Sequence, residues 1–198
     1  LDAVETKLFG IGSEAYVVGS HEFYLQYAAR HDLMVCLDMG HFHPTELIAD
    51  KISSMLLFAE HLLLHVSRPM RWDSDHVVVL NDDVRFLAEE LVRSGRLSDV
   101  FIGLDFFDGT LNRVGAYVTG ARATRKALLL AMLQPFDTLL DYEESGDYHR
   151  RLALAERMKS MPFGAVWEMF CLRNGVATEA AVMEEVAEYE RKELAGRV

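Results

Sequence analysis

Leu33-Met34-Val35-Cys36-Leu37-Asp38-Met39-Gly40-His41 is the stretch on which the reading of the fold turns. The apolar run up to Leu37 has the length and composition of a buried strand. It ends on a carboxylate, and an imidazole follows three residues later across a glycine. Ligand-type groups at the end of a buried strand are costly unless something pairs with them, and a divalent cation would do so. Taken alone, Asp38-x-x-His41 reads as a hydrogen-bonded turn. What tells against that bland reading is that three other strand ends carry similar groups.

Working outward, Val4 to Gly10 reads as a short strand with Glu5 and Lys7 on one face, because side chains alternate. A loop with Gly10, Gly12 and Gly19 leads to a helix over His21 to Arg30. After the Leu33–Asp38 strand, Pro44-Thr45-Glu46 is expected to open a helix, since proline fits a first turn. Leu47, Ile48, Ile52, Met55, Leu56 and Ala59 supply its apolar face. Leu62 to Val66 is a third strand, apolar on both faces as a covered parallel strand is. A loop through Arg68, Trp72, Asp73 and Asp75 leads to an extended Val77–Leu80. Asn81 caps a helix that ends before Gly95, placed where a left-handed residue is wanted. Val100 to Asp105 is a fourth strand, and Asn112 to Leu133 a long helix.

Four strand–helix units in succession predict a parallel sheet with crossover helices. From Pro135 the strands stop, and helices are expected over 135–144, 148–161, 162–173 and 178–194. The expected division is therefore a strand-bearing part, 1–134, and a helical extension, 135–198, serving as lid, buttress or oligomer arm. Trp167, Phe170 and Tyr189 in that extension read as packing aromatics.

The 198 residues suffice for a sizeable core, and 51% hydrophobic with 26% charged residues is an ordinary globular composition. A formal charge of −11 speaks against a nucleic-acid surface, which wants a basic stripe. Cys36 and Cys171 lie far apart without a CxxC pattern, so free thiols and a reducing, cytoplasmic setting are expected. No apolar run reaches membrane-spanning length, so no membrane partner is expected. The chain opens on Leu1 as if inside an element, and a piece of a longer protein is the expectation.

In parallel α/β proteins ligands sit beyond the C-terminal strand ends. Glu5 with Lys7, Asp38 with His41, His65, and Asp105 should therefore converge. Asp73-x-Asp75 adds two carboxylates that share a face in an extended loop, although such a pair is commonly just solvated. Together these are hard oxygen donors with some nitrogen, suited to Mn²⁺, Co²⁺ or Mg²⁺ rather than a structural zinc.

Four stretches carry a resemblance: Val4-Glu5-Thr6-Lys7-Leu8-Phe9-Gly10; Leu37-Asp38-x-Gly40-His41-Phe42-His43-Pro44-Thr45-Glu46; His65-Val66-Ser67-Arg68-Pro69-x-Arg71-Trp72-Asp73-Ser74-Asp75-His76; and Ile102-Gly103-Leu104-Asp105-Phe106-Phe107-Asp108. With Ala165-Val166-Trp167-Glu168-Met169 they make the chain resemble the L-rhamnose isomerase family, among the xylose-isomerase-like barrels. The resemblance implies the second half of a (β/α)8 TIM barrel, four parallel strand–helix units, followed by the helical extension. It implies a metal-dependent aldose–ketose isomerase converting L-rhamnose to L-rhamnulose by hydrogen transfer between C2 and C1, assembled as a homo-tetramer. Two divalent metal ions are implied, Mn²⁺ foremost, with Co²⁺, Mg²⁺ or Zn²⁺ as substitutes. One is held by Glu5, Asp38, His65 and Asp105, the other by His41, Asp73 and Asp75, with Asp38 bridging. Lys7 and Asp105 carry catalytic roles, and Phe107 contacts the sugar.

Without the resemblance Lys7 reads equally as a surface or salt-bridged lysine. His43, His61 and His76 read as structural, His21 and His149 as surface, and Trp72 as a wall of the sugar site or a packing residue. Asp108 reads as support for the metal ligands or as the cap of the following helix. A complete barrel needs about eight strand–helix units. The expected partner is therefore the missing N-terminal half, and the isolated chain is expected to be weakly active or inactive. The alternatives are another sugar isomerase or epimerase of the same barrel group, a phosphodiesterase of the endonuclease type disfavoured by the acidic charge, and a non-catalytic piece.

Overall fold

The computed structural model describes residues 1–8, 10, 12–69 and 76–197. Asp73, Asp75 and Trp72 lie outside the described residues. The chain divides into two compact units, Leu1–Leu128 and Leu129–Val198.

The first unit is built on four parallel strands, β1 (Ala3–Glu5), β2 (Met34–Asp38), β3 (Leu62–Val66) and β4 (Val100–Leu104), hydrogen-bonded in the order β1-β2-β3-β4. Helices α1 (His21–His31), α2 (Ala49–Leu56), α3 (Asp82–Arg93) and α4 (Arg113–Met132) alternate with them, and α4 runs on into the second unit. Spatial order thus follows chain order, the pattern of strand–helix units wound in one direction.

Alternation along the strands sorts the side chains onto two faces. Leu62, Leu64 and Val66 of β3 and Val35 and Leu37 of β2 are buried on one face. Glu5, Cys36, Asp38 and His65 fall on the other. Register then matters for chemistry: Glu5 lies beside Cys36, Asp38 beside His65, and His65 beside Gly103. A Cβ on Gly103 would meet the His65 ring at 3.5 Å, so the glycine leaves the imidazole its place.

The helix ends follow local chemistry. Ser20 accepts a hydrogen bond from the Phe23 N–H at the start of α1, and Asp32 closes the helix in the left-handed region at φ 53°. Asn81 accepts from the Val84 N–H, and Gly95 just past α3 has φ 68°. Each such N-cap contributes about 1 kcal/mol. Ile52, Met55 and Leu56 of α2 and Val84, Leu87 and Leu91 of α3 are buried where the two helices pack together.

Three expectations need correction. β1 stops at Glu5 rather than running to Gly10; beyond it Lys7 forms an isolated antiparallel bridge to Gly19. Helix α2 starts at Ala49, not at Pro44. There the Thr45 N–H donates to His43 Nδ1 and the Glu46 N–H to the His43 carbonyl, so a turn satisfies the donors that a helix would have left open. His21 is not a surface residue: it is half-buried between Thr6, 3.3 Å from its hydroxyl, and the edge of Phe42.

The second unit contains α5 (Phe136–Glu144), α6 (Tyr148–Lys159), α7 (Phe163–Arg173) and α8 (Glu179–Tyr189), the last extended by a π-helical turn over Glu190–Leu194. Gly146 at φ 74° turns α5 into α6, and Asp147 caps α6 by accepting from the Arg150 N–H. Trp167 is buried, stacks on Phe170 and donates from Nε1 to Glu179 at 2.7 Å. Cys36 and Cys171 are both buried free thiols. Among the described residues no helix is long and apolar enough to cross a membrane.

Candidate metal centre

Because the four strands run parallel, their C-terminal ends lie together at one edge of the sheet. Glu5 and Asp38 are the last residues of β1 and β2, His65 the penultimate residue of β3, and Asp105 the first residue beyond β4. The Asp105 N–H continues the ladder to the Val66 carbonyl at 3.2 Å, and the Met39 N–H does the same to the His65 carbonyl at 3.1 Å. These backbone bonds hold the ligand-bearing positions in strand register.

The side chains converge on one nitrogen. His65 Nδ1 lies 3.0 Å from Glu5 Oε1, 3.3 Å from Asp105 Oδ2 and 3.6 Å from Asp38 Oδ2. Donor atoms of Glu5, Asp38, His65 and Asp105 all fall within 4.8 Å of one another, as do those of Glu5, Cys36 and His65. Three carboxylates so close repel one another unless positive charge stands between them. The His65 imidazole answers to them: Asp38 first, then Cys36 and Glu5, push its pKa up from 6.5 to about 12.

Asp38 is fully buried, and its two oxygens differ. Oδ1 accepts from the Gly40 N–H at 2.6 Å, while Oδ2 is buried without a hydrogen-bond partner. A buried carboxylate oxygen left without a partner costs free energy that a cation would recover. The donor set, three carboxylates and one imidazole, matches what manganese, cobalt or magnesium accept. The residues present therefore fit a hard divalent ion.

His41 is oriented separately. Its Nδ1 lies 3.1 Å from the Thr6 carbonyl and 3.4 Å from Glu5 Oε1. A carbonyl only accepts, so Nδ1 carries the proton in that bond, which leaves Nε2 as the nitrogen a metal could take. Nε2 is 3.9 Å from Asp38 Oδ1. The companions expected for His41, Asp73 and Asp75, lie outside the described residues.

Lys7 is half-buried, with its carbonyl accepting from the Gly19 N–H at 2.8 Å. Phe107 is 61% exposed, with the Arg113 guanidinium 5.6 Å from its ring centre. With Phe106 and Tyr117 it lines a recess of about 230 Å³. Asp108 does not cap α4. Its Oδ1 accepts from the Thr110 N–H and hydroxyl, and Asn112 caps the helix by accepting from the Val114 and Gly115 N–H groups.

Two contributors escaped the sequence reading. The Thr6 carbonyl that orients His41 belongs to the backbone and has no residue signature. Cys36 could have been found, since it lies two residues before Asp38 and alternation puts both on one face. Burial pushes its thiol pKa up, and the hydrogen bond to His65 opposes that rise.

A family model described as L-rhamnose isomerase (RhaA) matches residues 1–197. L-rhamnose isomerases from Yersinia pestis (strain Pestoides F) and Yersinia pseudotuberculosis serotype O:1b (strain IP 31758) are each 55% identical over 197 residues, covering 100% of this chain and 47% of the relative. The chain spans about half the length of the curated relatives it matches.

Proposed function

The chain belongs to the L-rhamnose isomerase family, and from that premise we propose that it forms the metal-bearing half of an aldose–ketose isomerase acting on L-rhamnose. The observation that carries the proposal is the convergence of Glu5, Asp38, His65 and Asp105, from four successive parallel strand ends, within 4.8 Å. In this reading the strand-bearing part, 1–134, is the second half of a (β/α)8 barrel, and 135–198 is its helical extension. The sequential strand order supports it.

Glu5, Asp38, His65 and Asp105 would hold one divalent ion, Mn²⁺ foremost. His41, Asp73 and Asp75 would hold a second, with Asp38 reaching toward both. When bound, the ions supply Lewis acidity at the sugar's carbonyl and hydroxyl oxygens. Asp105, with its side chain 57% exposed, is open to take up and return the hydroxyl proton. Lys7, two residues beyond Glu5, would add positive charge beside the carbonyl oxygen and favour the charge that develops during transfer. Phe107 would offer an apolar wall to the sugar. A cytoplasmic homo-tetramer completes the proposal.

The test has two arms. The complete reading frame that contains this sequence should convert L-rhamnose to L-rhamnulose with added Mn²⁺. Absence of turnover with Mn²⁺, Co²⁺, Mg²⁺ and Zn²⁺ alike would sink the activity. Turnover of another aldose in preference to L-rhamnose would move the substrate within the same barrel group. The 198-residue chain alone should bind Mn²⁺ yet show little or no turnover, and full activity from it would overturn the half-barrel.

A further inference from the structure

Glu5 and His65 belong to two overlapping donor groups, and only one of them consists of hard ligands. In the second group the partner is Cys36, whose thiol lies with a Glu5 oxygen and a His65 nitrogen within 4.8 Å. Cys36 sits one side-chain step before Asp38 on the same face of β2, and in the sheet it is paired with Glu5. It is almost wholly buried, so its sulfur faces this cluster rather than solvent. Beside it Asp38 Oδ2 is buried without a hydrogen bond, 3.6 Å from His65 Nδ1. A cation entering at this depth therefore meets an oxygen and a sulfur that both turn toward His65.

We propose that Cys36, Glu5 and His65 form a binding site for thiophilic divalent cations, of which Cd²⁺ is the probe, and that this site excludes the ion held by Glu5, Asp38, His65 and Asp105. The inference deepens the proposed metal centre and rests on Glu5 and His65 serving that centre. Thiolate, imidazole and carboxylate are a donor set that soft and borderline ions favour, whereas Mn²⁺ and Mg²⁺ favour oxygen. On binding, a sulfur–metal bond forms, the thiol proton and any proton on the ligating His65 nitrogen leave to buffer, and no oxidant or reductant is involved. A histidine nitrogen has a single lone pair, so in this proposal His65 cannot serve both ions at once and uptake of the soft ion expels the hard one. The functional consequence is that thiophilic metals compete for the site by recruiting a ligand that the working ion does not use.

The chain contains two thiols, Cys36 and Cys171, so the Cys171→Ser variant isolates Cys36. Adding Cd²⁺ to Mn²⁺-loaded wild type and to Cys171→Ser should raise the ultraviolet sulfur-to-cadmium charge-transfer band in both. Each Cd²⁺ bound should release one Mn²⁺, followed by the paramagnetic resonance signal of the free ion. Cys36→Ser and Cys36→Ala should lose the band and bind Cd²⁺ roughly tenfold more weakly or worse, while keeping Mn²⁺ affinity within about twofold. No band in Cys171→Ser, or a band that rises without release of Mn²⁺, overturns the proposal. If the Cys36 variants fail to fold, Cys171→Ser still decides, because its only sulfur ligand of this kind is Cys36. A Cys36-dependent band in a chain that never binds Mn²⁺ would instead refute the oxygen-rich centre, so the two readings fail separately.

Discussion

At Asp38 one carboxylate oxygen is held by the Gly40 N–H and the other is buried without a hydrogen bond, 3.6 Å from His65 Nδ1. This division gives the residue its predicted weight. Asp38→Asn keeps the shape and the bond from Gly40 but removes the charge, so Mn²⁺ affinity measured by calorimetry should fall by roughly a hundredfold or more. An unchanged affinity would remove Asp38 from the ligand set. His41 is held differently, through the Thr6 carbonyl and thus through the backbone of β1's exit. Here the sequence was a partial guide. The residue types Glu5, Asp38, His65 and Asp105 at strand ends were legible, because alternation and strand direction decide which face and which end a side chain occupies. The tautomer of His41 was not legible, because a carbonyl group belongs to every residue.

Elements bring these residues into place through contacts far along the chain. Gly120 of α4 lies against Phe106, which follows Asp105. A Cβ on Gly120 would come within 2.8 Å of the Phe106 ring. Phe106 also stacks on Tyr117, whose hydroxyl donates to its carbonyl. Gly120→Ala should therefore cost about 1–3 kcal/mol in thermal unfolding and weaken Mn²⁺ binding by shifting Asp105. Loss of stability with unchanged Mn²⁺ binding would show that the strain is absorbed elsewhere.

Arg96 is a second tie, joining the end of α2 to the approach to β4. Its guanidinium donates to the Leu56, Ala59 and Glu60 carbonyls and, from Nε, to Asp99 at 2.7 Å. Arg96→Ala should destabilise the chain by roughly 1–2 kcal/mol at neutral pH. The guanidinium is also the main cause that holds the Asp99 carboxyl below its usual 3.8. A depressed carboxylate contributes stability above its unfolded value and loses it as pH falls through the lower folded value. The gap in melting temperature between wild type and Arg96→Ala should therefore stay level near neutrality and narrow below pH 3.8. A gap that widened in acid would contradict the pairing.

The first unit presents a parallel sheet whose carboxylate-bearing face its own helices cover only in part. Ala3 is exposed, and Phe101, on the same face, is 46% exposed. Parallel sheets in proteins are covered on both faces, and an uncovered one with open edges tends to associate. The curated relatives that the chain matches are about twice as long. Light scattering on the 198-residue chain should thus show concentration-dependent self-association, and a stable soluble monomer over a wide concentration range would oppose this.

The sequence by itself determined the α/β alternation, the parallel direction of the strands and the residue types at their ends. These follow from periodicity, capping and side-chain alternation, which are local. It misplaced the exit of β1 and the start of α2, where loop hydrogen bonds compete with regular structure. Only the tertiary structure decided that Glu5 and His65, 60 residues apart, lie 3.0 Å from each other, and that Cys36 is beside both. Strand register sets those distances, and register depends on how distant segments pack. Asp38, at the end of the stretch Leu33–His41, is where both contributions meet: local pattern put a carboxylate there, and packing left one of its oxygens without a hydrogen bond.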